Sequence, residues 1–156
     1  MSLHIETPLL QSRALSLLSG RSVWLKIESV QPPGSFKIRG VGRACEVHLN
    51  RGAQRFVSSS GGNAGLAVAY AGRKLGVAVT VVVPETASET AIRLLKQEGA
   101  EVIVHGVSWQ EANDLALSLV GEADAFLHPF DDPLLWTGHA TLIDEVERSG
   151  VRPDAV

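Results

Sequence analysis

Two short segments hold the residues best suited to chemistry. Pro32-Pro33-Gly34-Ser35-Phe36-Lys37-Ile38-Arg39-Gly40 puts a lysine just after a rigid turn. The prolines and Gly34 set the turn and Ser35 is a suitable N-cap, so Lys37 is expected in the first turn of a helix. The positive end of the helix dipole and the apolar neighbours Phe36 and Ile38 both disfavour an ammonium there. A neutral lysine is what imine formation with a carbonyl requires. The competing reading is a surface lysine beside a structural turn.

The second segment is Ser58-Ser59-Ser60-Gly61-Gly62-Asn63-Ala64-Gly65. It follows a predicted strand and opens a predicted helix. Backbone N–H groups converge at such a turn and make an anion pocket, to which the serine hydroxyls and the Asn63 amide add donors. Phosphate and carboxylate are both candidate anions. A βα turn that uses glycine only for its backbone freedom is the alternative. The spacing matches neither G-x-G-x-x-G nor the G-x-x-x-x-G-K-[ST] phosphate loop.

Other candidates carry less. Cys45 lies in a predicted helix with no histidine pair beside it, as a buried structural thiol does. His4, His48, His105, His128 and His139 are scattered without metal-ligand spacing, so no metal site is expected. The absence of G-x-S-x-G makes Ser60 a poor hydrolase nucleophile. Asp132 reads as the cap of a helix opened by Pro133 rather than as one of two paired acids with Asp131. Trp136 and His139 are placed to line the mouth of a site or to pack at the start of that helix.

The elements around these segments alternate in period. Arg55–Ser58 is a short strand, and Ala64–Leu75 a helix. Val77–Val83 is a nearly unbroken β-branched run, the mark of a strand buried on both faces. Ser88–Glu98, Glu101–Val104 and Trp109–Val120 continue as helix, strand and helix. The pattern predicts parallel βαβ units in an open α/β sheet with helices on both faces. Ser22–Glu28 reads as a strand with one polar face, and Ser35–Asn50 as a helix. A further helix is expected from Pro133 to about Arg148, with Asp144, Glu145 and Glu147 on a solvated side.

With 156 residues, 45% of them hydrophobic, the chain has the mass for a real core. Its net charge of −3 and lack of any Lys/Arg cluster give no footprint for nucleic acid. The opening residues Met1-Ser2-Leu3-His4-Ile5-Glu6 do not read as a cationic and apolar leader, so no secretory signal is expected, and Val77–Pro84 is too short to span a bilayer. A single cysteine fits a reducing compartment, so a cytoplasmic location is expected. Val151–Val156 looks like the approach to another strand. A parallel sheet lacking that strand would expose apolar surface, so the chain is expected to be the N-terminal part of a longer protein.

Pro33-Gly34-Ser35-Phe36-Lys37-Ile38-Arg39-Gly40, followed by Ser59-Ser60-Gly61-Gly62-Asn63-Ala64-Gly65, resembles the pyridoxal-phosphate-dependent serine/threonine dehydratase family of fold type II. Pro129-Phe130-Asp131-Asp132-Pro133-Leu134-Leu135-Trp136-Thr137-Gly138-His139-Ala140 resembles its L-serine dehydratase branch. The likeness runs from Thr7-Pro8-Leu9 to the end of the chain.

The resemblance implies a tryptophan-synthase-beta-like fold. Residues 41–134 would form a small inserted domain, and residues 1–40 and 135–156 an incomplete large one. It implies pyridoxal 5′-phosphate as cofactor, with Lys37 forming the imine, Phe36 packing beside the pyridine ring and Asn63 bonding the ring hydroxyl. Ser60, Gly61, Asn63 and Ala64 would hold the substrate carboxylate. Gly61 stands where alanine or serine is common in the family, which alters the room at the substrate's face. The glycine-rich loop for the cofactor phosphate would fall just after Val156.

The implied reaction is β-elimination from L-serine, and from L-threonine, to a 2-oxo acid and ammonia, in a homodimer. Racemisation or β-replacement of serine and a non-catalytic truncated paralogue are the alternatives.

Overall fold

The computed structural model describes residues 2–156. A small antiparallel ribbon comes first. Strand β1 (Leu9–Gln11) pairs with β2 (Trp24–Lys26), Leu9 opposite Lys26 and Gln11 opposite Trp24. Helix α1 (Arg13–Ser19) joins them. Ser12 Oγ caps its start by accepting from Leu15 N–H, and Gly20 ends it at φ 66°. Neither β1 nor α1 is legible in the residue pattern, and β2 is shorter than the expected Ser22–Glu28. A 3-10 turn (Glu28–Val30) then leads to helix α2 (Lys37–Asn50).

The main sheet has four parallel strands in the order β5-β4-β3-β6. They are β3 (Arg55–Ser58), β4 (Ala78–Val83), β5 (Glu101–Val104) and β6 (Asp124–Phe126). Helices α3 (Asn63–Leu75), α4 (Glu89–Gln97), α5 (Trp109–Ser118) and α6 (Pro133–Arg148) complete the chain. From β3 the chain winds outward through β4 to β5, then returns to set β6 on the other side of β3. The winding therefore reverses between β3 and β6, and at such a point open α/β sheets hold ligands beyond their strands' carboxyl ends.

The sheet is buried on both faces, as the β-branched run predicts. Val81 and Val83 enter one apolar cluster with Phe56 and residues of α2, α3 and α4. Val82 and Val57, pointing the opposite way, pack on Ala112 and Ala116 of α5. Helix α3 is buried almost all round, which is why alanine and glycine dominate it. Ser88 and Asp132 cap α4 and α6 as expected, accepting from Ala91 N–H and Leu134 N–H.

Helices α2 and α6 cross at two glycines. A Cβ on Gly138 would lie 2.3 Å from the Arg39 carbonyl oxygen and 2.6 Å from Gly40 Cα. Those contacts are backbone to backbone, so only glycine permits the crossing. It sits one turn beyond Lys37 and fixes where the start of α2 lies.

Candidate active site

Lys37 is the first residue of α2, in the helical turn the sequence assigns it. The capping expectation fails in detail. Phe36 already has helical angles, and its carbonyl accepts from Arg39 N–H at 3.0 Å. The coil thus begins before Ser35 is in cap position, and Ser35 Oγ is buried with no partner. Lys37 Nζ donates to the Pro129 carbonyl at 2.9 Å and lies 5.3 Å from the Phe36 ring centroid. Phe36 is exposed on one face, and its ring rests 5.0 Å from that of His139 on α6.

The serine-glycine turn follows β3. Ser59 is buried and its hydroxyl donates to Asn113 Oδ1 of α5 at 2.7 Å. Ser60 Oγ accepts from Gly62 N–H at 3.3 Å. Gly65 packs directly beneath this turn, where a Cβ would sit 1.7 Å from the Ser60 carbonyl oxygen. Gly62 caps α3 without any side-chain bond, so the first-turn N–H groups have no capping acceptor. Gly61 is half-buried, Ala64 buried and Asn63 exposed. A Cβ on Gly61 would point toward Val83 Cγ1 (3.2 Å) and Ala87 Cβ (3.6 Å).

The topology brings the two segments to one edge. The turn leaves the carboxyl end of β3. Leu127 N–H donates to the Val57 carbonyl at 2.8 Å, extending the β3–β6 pairing, and Pro129 follows two residues later. The amine of Lys37 is therefore held by the segment that leaves β6, the strand paired with the one that ends in the serine-glycine turn.

A charged cluster invisible in the sequence pattern anchors α2 from behind. Arg39 is fully buried and uses both carboxylate oxygens of Glu28 (2.8 Å each) and of Glu145 (2.7 and 2.8 Å). Lys26 Nζ donates to Glu145 and to Thr7 Oγ1, and Thr7 Oγ1 donates to Glu28 at 2.5 Å. Burial works to raise the Glu145 pKa, but the Arg39 and Lys26 hydrogen bonds more than offset it and hold it at about 2. Glu28 is lowered in the same way against its own burial, chiefly by Arg39 and Thr7.

The expectation that Glu145 lies on a solvated side is thus wrong: it is 6% exposed. Helical spacing carried the signal, because Leu135, Gly138 and Glu145 fall on one face of α6 and the first two are small or apolar.

His139 has its pKa lowered, first by burial and then by the charges of Lys37 and Arg39. Its Nδ1 is buried without a partner. The Cys45 thiol is fully buried and pushed up by that burial, as an inert structural thiol should be. Among the described residues no three His, Cys, Asp or Glu side chains group as metal ligands.

Ser35 Oγ and Ser58 Oγ, buried beside Lys37 and beside the serine-glycine turn, both lack partners. With a lysine amine, an exposed aromatic face and an uncapped helix start, these residues suit a planar anionic aldehyde and a carboxylate.

An open α/β sheet with a lysine and an uncapped helix start at its carboxyl-end reversal point has the architecture in which open α/β proteins hold anionic ligands. Residues 1–156 match the family described as pyridoxal-phosphate dependent enzyme, and the chain belongs to that family. It is 50% identical over 170 aligned positions to an L-serine dehydratase of Dictyostelium discoideum, covering 99% of this chain and 49% of the relative. An L-serine dehydratase/L-threonine deaminase of Mus musculus is 48% identical, with 99% and 48% covered.

Among solved structures, a fungal L-serine ammonia-lyase from Rhizomucor miehei superposes with TM-score 0.91 at 35% identity, covering 96% of this chain and 48% of that one. A serine racemase from Dictyostelium discoideum gives 0.86 at 28%, covering 96% and 49%. The architecture is that of fold type II, as the sequence predicts. The chain spans about half the length of the curated relatives it matches.

Proposed function

We propose that this chain carries the lysine and the substrate-carboxylate turn of a pyridoxal-phosphate-dependent ammonia-lyase. Its substrates are L-serine and L-threonine, deaminated by β-elimination to pyruvate or 2-oxobutanoate and ammonia. The observation that carries this reading is that Lys37 bonds to Pro129, just past β6, whose partner strand β3 leads into Ser59–Gly65. The L-serine dehydratases among its relatives support the substrate class.

The cofactor supplies an electron sink for the pair left when the substrate Cα proton departs. Lys37 would hold its aldehyde through the amine and would be the group placed to take the substrate Cα proton. Phe36, exposed on one face, would pack against the pyridine ring, and Asn63 would donate its amide to the ring hydroxyl. Ser60, Gly61, Asn63 and Ala64 would bind the substrate carboxylate through hydroxyl and N–H donors, which would orient the substrate's Cα–H bond. The proposed small domain is residues 41–134, with residues 1–40 and 135–156 in the large one; the separate β1–β2 ribbon supports placing the N-terminal residues outside the small domain. We also assign the protein to the cytoplasm and to a homodimer.

Borohydride reduction of the chain with pyridoxal 5′-phosphate should leave the label on Lys37, and Lys37→Ala should remove it. Label on another lysine of the native chain overturns the assignment. Release of pyruvate from L-serine, without D-serine, separates elimination from the racemisation named for the Dictyostelium neighbour.

A further inference from the structure

We infer that His128 is a positioning residue for Lys37. The inference rests on the proposed role of Lys37 and adds a residue that touches neither substrate nor cofactor. After Leu127, which extends β6, the chain must turn sharply to reach Asp132 and start α6. His128 Nδ1 closes that turn by accepting from the N–H groups of both Phe130 (3.2 Å) and Asp131 (2.7 Å). A side-chain acceptor that takes N–H groups two and three residues ahead is the geometry Asn and Asp use in turns, here built with an imidazole. A nitrogen that accepts in this way carries no proton, so the ring N–H is on Nε2.

Pro129 lies inside the closed turn and is itself buried. Its φ is fixed by the pyrrolidine ring, so the turn determines where its carbonyl points. That carbonyl is the acceptor for Lys37 Nζ at 2.9 Å. The imidazole is fixed in turn by edge-on contacts with Phe130 (4.6 Å, 84°) and Phe126 (6.4 Å, 73°). The ring of Trp109, at the start of α5, lies 6.2 Å from that of Phe130. The chain of contacts runs from imidazole to turn to carbonyl to amine. His128 thereby sets the resting position of the reactive nitrogen across 91 residues of sequence, an order of separation no local pattern reveals.

The test compares the native chain with His128→Phe, which keeps a ring for Phe126 and Phe130 but offers no acceptor, and His128→Asn, which restores one. After incubation with pyridoxal 5′-phosphate and reduction, peptide mapping gives the share of label on Lys37 relative to the exposed Lys74 and Lys96. Amide hydrogen exchange at Phe130 and Asp131 is read on the same proteins without cofactor.

His128→Phe should lose protection at both amides and lower the Lys37 share about tenfold, the worth of one good hydrogen bond expressed as a ratio. His128→Asn should restore both. An unchanged Lys37 share in His128→Phe overturns the inference while leaving the role of Lys37 intact. Label elsewhere in the native chain removes both. Should His128→Phe not fold, His128→Ala makes the same comparison.

Discussion

At the scale of single residues, the costliest side chain in the molecule is Arg39. A guanidinium with no exposure is tolerable only because two carboxylates each take it with both oxygens. Arg39→Met would leave Glu145 with Lys26 as its charged partner and Glu28 with only the neutral donors Thr7 and Gln31. We expect a loss of about 3–5 kcal/mol in urea denaturation, typical of breaking a buried ion pair from one side. A loss under about 1 kcal/mol, the worth of a surface pair, would show that the cluster is solvated.

Lys37 was legible because proline and glycine announce the turn before it and because the following helix is periodic. Arg39 stands two residues later in the same motif and was not, since its partners lie on three other elements and no local pattern pairs them. His128 escaped for a different reason: its partners are backbone groups two and three residues away, which any residue type would supply.

At the scale of elements, the alternation of strand and helix from Arg55 to Ser118 could be read directly, because every strand there is bounded by glycine or proline and β4 is buried on both sides. The misses are short. Strand β6 has three residues, of which only Ala125 is buried, and α1 has no buried residue at all, so neither shows a period. The α2–α6 crossing was equally hidden, since it depends on two glycines 98 positions apart.

That crossing gives a sharp expectation. Gly138→Ala places a Cβ against backbone atoms of Arg39 and Gly40 that cannot rotate aside, so α2 must move. The cost should exceed about 2 kcal/mol, in the range of overpacked cores. Gly62→Ala, whose nearest neighbour would be Ser60 Oγ at 4.0 Å, should cost less than about 1 kcal/mol. Equal denaturation midpoints for the two variants would contradict the crossing.

At the scale of the whole molecule, the perturbed groups combine into one dependence on pH. His139, His48 and His4 all have lowered pKa values, in each case first through burial, so the unfolded chain protonates them before the folded one does. Glu28 and Glu145 are lowered as well, Glu145 to about 2 from 4.5. Every one of these shifts makes the unfolded state bind more protons at a given acid pH, so stability rises with pH throughout the window.

The histidine contribution is complete well above 6.5 and fades as pH falls below that value. The carboxylate contribution is complete above 4.5 and fades toward 2, with Glu145 alone worth roughly 3 kcal/mol across it. The thermal midpoint followed by circular dichroism should therefore fall in two stages, a shallow one below about pH 6.5 and a steeper one below about pH 4.5. Glu145→Gln should flatten the second stage and leave the first in place. A midpoint that holds constant from pH 7 to pH 3 would mean that neither the imidazoles nor the Arg39 cluster is shielded from solvent, and the anchoring of α2 behind Lys37 would need another cause.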